Sequence, residues 1–384
     1  MPELSHKRFE VLDSFRGISA ICVVVFHLHF VGSFTEWSFF RGSYLFVEFF
    51  FVLSGFVLAH GYGMKEGLKF TPYIKARFYR IYPLHLTMLM VMFGFEIAKL
   101  IAFEFAGITF NDIPFTGSNH PIQLIPDLLL IQSWFPATAN GSFNYPAWSI
   151  SIEFYLYIIL FITISVCKQQ RALLWASISL ATLALLTLFP QSPHRVPLTG
   201  LACFFGGASI YMLYRQLHAI KASYVVATLL ECLALLAIIA LVQSDPFTYR
   251  MQLAIVLFLA AVLLFAFEQG ALSQLLKHRP FLRLGELSYS IYMIHVALIF
   301  VFTSVFIVFN RKFILDIAPT INGQRYITLG DDHINNLVAL LLVFTITICA
   351  RWSHKHIELR GQRLGKVQPI QSTTQPKTPR QKQI

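Results

Sequence analysis

Arg16 and His27 stand eleven residues apart in the run LDSFRGISAICVVVFHLHF. On a helix that spacing is three turns plus roughly 20°, so both side chains share one face, about 16 Å apart along the axis. A guanidinium near one end of an apolar segment and an imidazole further along the same face suggest a lined path through a bilayer, where unpaired ionisable groups are costly. Two carboxylates join them by depth. His27 lies about five residues from the outer end of its segment, Glu48 about five from the outer start of the next, and Glu153 about six from the start of a third. An imidazole beside a carboxylate is a general base whose tautomer is fixed and whose protonated form is stabilised. Either Glu48 or Glu153 can take the second part.

Cations gather at the other side. Arg77 and Arg80, in KARFYR, are three residues apart and on a helix point the same way, an arrangement suited to phosphate. The same pair also fits a flank that binds lipid phosphates. Arg16 near that face adds a third cation. With cations on one side and a base about 16 Å away, the spacing fits a donor with a phosphorylated head and a long thin arm ending in a reactive group. A coenzyme A thioester is such a donor. Ser149 and Ser151 supply hydroxyls close to Glu153 for a developing oxyanion, and Ser149 shares its helix face. Tyr289, Tyr292 and His295 are placed in the inner half of a later segment, as lining for the donor arm or as packing.

The elements that must hold these residues are transmembrane helices. Of 384 residues 56% are hydrophobic and only 13% charged, against roughly 25% charged in soluble domains. Ten apolar segments are expected, at about 14–32, 43–63, 83–106, 147–166, 172–190, 197–214, 223–243, 250–268, 286–309 and 334–353. The fold class is therefore all-α, a polytopic membrane protein. Most of the 30 basic residues fall in the termini and alternate loops, which puts both termini in the cytoplasm. Segment 107–146 faces outward, carries Asp112 and Asp127 and no Lys or Arg, and is long enough to form a lid or acceptor surface. A polar, Pro-containing tail over 367–384 is expected to be disordered. The net charge of +11 reports cytoplasmic loops rather than nucleic-acid binding. Five cysteines show neither metal nor disulfide spacing, and no metal is expected.

Five stretches resemble, in order, the motifs of the membrane acyltransferase-3 family, which includes O-acetyltransferases of bacterial surface polysaccharides. Arg16-x10-His27 is similar to its first-span signature. LFVEFFFVLSGF at 45–56 resembles GVDLFFVLSGF, with Glu48 where Asp is usual. Arg77-Phe-Tyr-Arg80 matches RxxR. WSISIEFY at 148–155 resembles WSLSVEEQFYL with one Glu, Glu153, where many members have two. LGELSYSIYMIH at 284–295 is similar to LGxISYSLYLxH. The resemblance covers about residues 8–360 and implies a transmembrane domain over 1–366.

It implies an O-acyltransferase in the bacterial cytoplasmic membrane, moving an acyl group, acetyl above all, from cytoplasmic acyl-CoA to a hydroxyl of an extracytoplasmic carbohydrate. Acetyl-CoA is then a donor substrate, with no permanently bound cofactor. His27 would be the essential histidine, Arg77 and Arg80 the donor-binding pair, and Arg16 a further basic position on the donor side. Direct transfer and a covalent acyl-His intermediate both remain open. So do a small-molecule or lipid acceptor, and a transporter or flippase, since polar residues at two depths also describe a translocation path.

Overall fold

The structure, a computed structural model, describes residues 7–108, 110, 112–138, 142–167, 169–313 and 315–365. Ten long helices stand where ten spans are expected: α1 Glu10–Phe26, α2 Phe46–Tyr62, α3 Phe70–Ala106, α4 Ala147–Val166, α5 Arg171–Leu188, α6 Arg195–Leu217, α7 Tyr224–Gln243, α8 Arg250–Ala266, α9 Arg279–Phe313 and α10 Asp332–Ser353. Eight are long and apolar enough to cross a membrane, whereas α1 and α8 have 17 residues each. This is an all-α polytopic membrane protein. Helices α2 and α6 are 61% buried and form the centre, while α7, 22% buried, presents Leu229, Leu233 and Leu236 outward as a lipid-facing surface.

Three boundaries depart from expectation and move functional residues. Helix α1 ends at Phe26, and His27 is its C-terminal cap rather than a residue well inside a span. Arg41, from the following loop, ties off this end: Nη2 donates to Val25 O in the last turn at 2.9 Å and to Leu28 O just beyond the helix at 2.8 Å. Helix α3 begins at Phe70, thirteen residues ahead of the expected 83, so Arg77 and Arg80 lie within it and Pro83 is internal. Helix α9 begins at Arg279 rather than 286, which puts His295 near its middle. The expected tail, 367–384, lies outside the described residues.

The helix pair that matters for the site is α1 with α9. They cross at Gly17 and Gly285, where a Cβ on Gly17 would enter the backbone of Leu284 and Gly285, and one on Gly285 would meet Asp13 O. Only glycine permits this approach. His27 and His295 each lie ten residues beyond their crossing glycine, about 15 Å along either axis. The crossing therefore delivers both imidazoles to one height.

Beyond α9 the chain makes a two-stranded hairpin, β1 Thr320–Ile321 with β2 Gln324–Arg325, in antiparallel register with Thr320 opposite Arg325. Its loop is Asn322-Gly323, both with positive φ (49° and 78°), the backbone a tight right-twisted hairpin demands. The hairpin is tied to the chain just after His27. Ile327 N donates to His29 O at 2.9 Å, and Val31 N donates to Ile327 O at 3.0 Å.

Candidate active site

His27 Nδ1 lies 2.9 Å from Val23 O and 3.3 Å from His295 Nε2. A carbonyl only accepts, so His27 carries its proton on Nδ1. His295 Nδ1 is 2.6 Å from Tyr292 O, so its proton is there and its Nε2 is an acceptor for His27. His27 Nε2 is thereby left with a bare lone pair. It is buried and has no hydrogen-bond partner among the described residues. His27 stands in the wall of a cavity of about 170 Å³, with His29, Phe30, Phe110, Ser304 and Arg325 among its other lining residues. An imidazole fixed in this tautomer, with its basic nitrogen unengaged, has what a general base requires.

The group behind His27 is a histidine and not a carboxylate. Among the described residues neither Glu48 nor Glu153 bonds to the ring, which departs from the expected pairing. Glu48 sits in the first turn of α2, is 5% exposed, lines neither cavity described here, and its Oε2 has no partner among the described residues. Glu153 Oε1 is engaged by Ser54 Oγ at 2.6 Å and by Tyr157 OH at 2.5 Å. Depth counted along the sequence placed all three side chains in one layer, but azimuth decides contact, and the α1–α9 crossing gives that position to His295. His295 thus stands beside His27.

A second, narrow cavity of about 40 Å³ lies among α1, α2, α4 and α9. Arg16, Ser54, Ser149, Glu153, Tyr289 and Tyr292 line it, which unites five of the residues singled out in the sequence. Ser149 Oγ donates to Pro146 O at 3.1 Å, so Tyr292 OH, 2.9 Å away, donates to Ser149. Both protons are engaged, and neither is free for an oxyanion as the structure stands. Tyr289 contributes its ring, its hydroxyl donating to Ile81 O at 2.6 Å. Ser151 faces elsewhere: fully buried, it donates to Leu130 O at 2.6 Å and accepts from Ser133 N, holding segment 107–146. Tyr292 links the second cavity to the histidine pair, since its hydroxyl lies on Ser149 and its carbonyl on His295.

At the far end, Arg77 Nη2 donates to Tyr62 OH at 3.3 Å, its guanidinium lies 5.4 Å from that ring, and its buried Nε has no partner among the described residues. Arg80 makes no hydrogen bond among the described residues. Both cations are half-buried and keep donors to offer an anion.

Several supporting residues escaped the sequence reading. Arg41 holds the turn that carries His27, with Nε on Thr35 O and Nη1 on His29 Nδ1, each at 2.8 Å. Its signal was available: it is the lone Lys or Arg between the first two spans, in a loop expected to face outward. Tyr145, from segment 107–146, sets its ring 5.8 Å from that of His27, edge to face. Asn144 Nδ2 donates to Met293 O at 3.0 Å, docking the same segment on α9. Burial pushes the Asp127 carboxyl in that segment up to about 7, although it accepts from Phe143 N.

A family model described as an acyltransferase domain matches residues 9–354. The chain belongs to the acyltransferase-3 family. Every residue of both cavities lies within the matched range. Among curated relatives, the chain is 36% identical over 159 residues to acyltransferase MdmB of Streptomyces mycarofaciens, covering 39% of this chain and 38% of that protein. It is 36% identical over 162 residues to protein 2 in picA locus of Rhizobium radiobacter, covering 40% and 81%. A match over more of the chain is to peptidoglycan O-acetyltransferase OatA of Listeria monocytogenes, 24% identical over 336 residues, 78% of this chain and 51% of the relative. The chain thus spans about half the length of OatA and less of MdmB. No solved structure matches the chain significantly.

Proposed function

We propose that this protein transfers an acyl group, acetyl in the first instance, from a coenzyme A thioester on the cytoplasmic side to a hydroxyl of an extracytoplasmic carbohydrate. The observation that carries this reading is the unengaged Nε2 of His27 in a cavity wall, with Arg77 and Arg80 offering N–H donors for a phosphate elsewhere in the same bundle. Family membership and the names of OatA and MdmB support acyl transfer. OatA's name adds a glycan acceptor.

In this scheme Arg77 and Arg80 hold the donor's phosphates, and the pantetheine arm runs past Arg16 and Glu153 along the narrow cavity. The acceptor hydroxyl enters the His27 cavity and gives its proton to His27 Nε2 as its oxygen attacks the thioester carbonyl. The tetrahedral adduct collapses, the C–S bond breaks, and the imidazolium gives its proton to the leaving thiolate, which restores neutral His27 and releases the free thiol. Positive charge on that ring is spread into Val23 O and His295 Nε2, both acceptors for Nδ1–H. Arg16, in the wall of the narrow cavity, sets a positive charge along the donor arm. Glu153, held by Ser54 and Tyr157, positions the arm rather than the base.

Surface glycans from cells carrying the protein, a His27→Ala variant or neither provide the test. An alkali-labile acyl mass found only with the unaltered protein supports O-acylation. The same mass in all three strains would end the proposal. Acylation absent from glycans and present on a small molecule would redirect it to the other acceptor class.

A further inference from the structure

Three buried polar atoms without a hydrogen-bond partner among the described residues belong to side chains lining one cavity: His27 Nε2, Ser304 Oγ and Arg325 Nε. Buried polar groups are ordinarily paired, so three around one cavity mark a place shaped for a polar occupant. The His27 lone pair accepts a hydroxyl proton, the Ser304 hydroxyl donates or accepts, and Arg325 only donates. Phe30, Phe110 and Phe302 supply apolar walls between them. At about 170 Å³ the space lies below the roughly 300–1,000 Å³ of pockets for drug-sized ligands and suits a single ring.

Arg325 has a particular geometry. Its Nη1 donates to Ala318 O at 2.8 Å, which fixes the guanidinium and spends that end. Nε and Nη2, the side-on fork, make no hydrogen bond among the described residues. Two parallel N–H groups at that spacing match the two oxygens of a carboxylate. The other charged groups nearby are already committed. Arg41 is spent on Thr35, Val25 and Leu28 carbonyls and lies 3.9 Å from Glu36. His29 is engaged by Arg41 Nη1 at 2.8 Å through Nδ1, with Glu36 Oε1 3.6 Å away. One uncommitted fork balances one negative charge. The β-bridge between Ile327 and the residues after His27 holds fork and base in a fixed relation.

We infer that the His27 cavity recognises an acidic sugar unit, one whose ring carries a carboxylate that binds the Arg325 fork while its hydroxyl is presented to His27. This rests on the proposed acyl transfer for the role of the hydroxyl, but carboxylate recognition stands or falls separately.

The test is binding of methyl β-glucuronide and methyl β-glucoside, which differ only in carboxylate against hydroxymethyl, to the full chain in nanodiscs. The glucuronide is expected to bind at least about tenfold more tightly, as one charged bidentate pair provides. Arg325→Gln removes the preference, and Arg325→Lys, which keeps the charge and loses the fork, retains part of it. Equal binding of the two sugars, no binding of either, or a preference that survives Arg325→Gln overturns the inference, and the first two need no variant to fold. A methyl glucoside 6-phosphate that outcompetes the glucuronide would replace carboxylate by phosphoester recognition and also overturn it. His27→Ala keeps the glucuronide preference while abolishing acyl transfer. If the unaltered protein shows the preference and transfers no acyl group, the functional proposal fails alone.

Discussion

Replacing His295 by Ala tests the least expected contact in the site. The variant removes the acceptor 3.3 Å from His27 Nδ1 and leaves Val23 O in place at 2.9 Å. The tautomer of His27 is therefore kept, and only the stabilisation of the imidazolium falls. A hydrogen bond to a charged group is worth about 1.5–3 kcal/mol. This one is long and shares its proton with a shorter bond, so the lower figure applies, which corresponds to about a tenfold loss of kcat. His295 lines neither cavity, so KM for donor and acceptor should stay within about twofold. His295→Gln, whose amide oxygen can accept from Nδ1–H, should recover most of the loss. The assay is steady-state acyl transfer in membrane vesicles normalised to inserted protein. An unchanged kcat, or a raised KM with kcat intact, would refute the assignment of His295 as the group that supports the base.

Arg41→Gln should lower kcat by about tenfold, with protein levels nearly unchanged, because the carbonyls of Val25 and Leu28 lose the donors that fix the His27 turn. Gly17→Leu should cost folded protein outright, read as loss of a monodisperse peak on size exclusion, since its side chain would enter the Gly285 backbone. Arg77→Gln and Arg80→Gln should each raise KM for acyl-CoA by about tenfold, with a smaller effect on kcat. The Asp127 carboxyl is raised from its ordinary 3.8 to about 7, so the folded state holds the proton more tightly than the unfolded one. Its contribution to stability is complete below about pH 4 and is lost as pH rises through about 7. Hydrogen exchange of peptides over 124–138 should accelerate across that window, and Asp127→Asn should flatten the response.

Much of the bundle was legible because apolar length and cationic loops report helices directly. The boundaries that mattered were not. Helix α3 runs on past Pro83 toward its start, since a proline removes one amide and leaves the rest of the helix intact where neighbours pack on it, here Gly361 against Pro83 and Tyr79 O. Depth counting grouped His27, Glu48 and Glu153, yet it carries no azimuth, and neither carboxylate bonds to the ring among the described residues. The contact between His27 and His295 comes from two glycines 268 residues apart in sequence, Gly17 and Gly285, and nothing local to either histidine announces it. The Arg16 cavity was easier, because Ser149 and Glu153 share one face of α4 and Tyr289 and Tyr292 one face of α9. Arg325 is one charge in the segment between α9 and α10, and the Asn322-Gly323 turn gives it its position.

The central claim is that His27 transfers an acyl group from a donor on one side of the membrane to a hydroxyl on the other. Sealed inside-out vesicles from expressing cells, given isotopically labelled acetyl-CoA at the former cytoplasmic face, test it most directly. The account predicts alkali-labile label on glycan enclosed in the lumen, present with the unaltered protein and absent with His27→Ala. Equal labelling with His27→Ala, or labelling that requires acetyl-CoA inside the lumen, would contradict it.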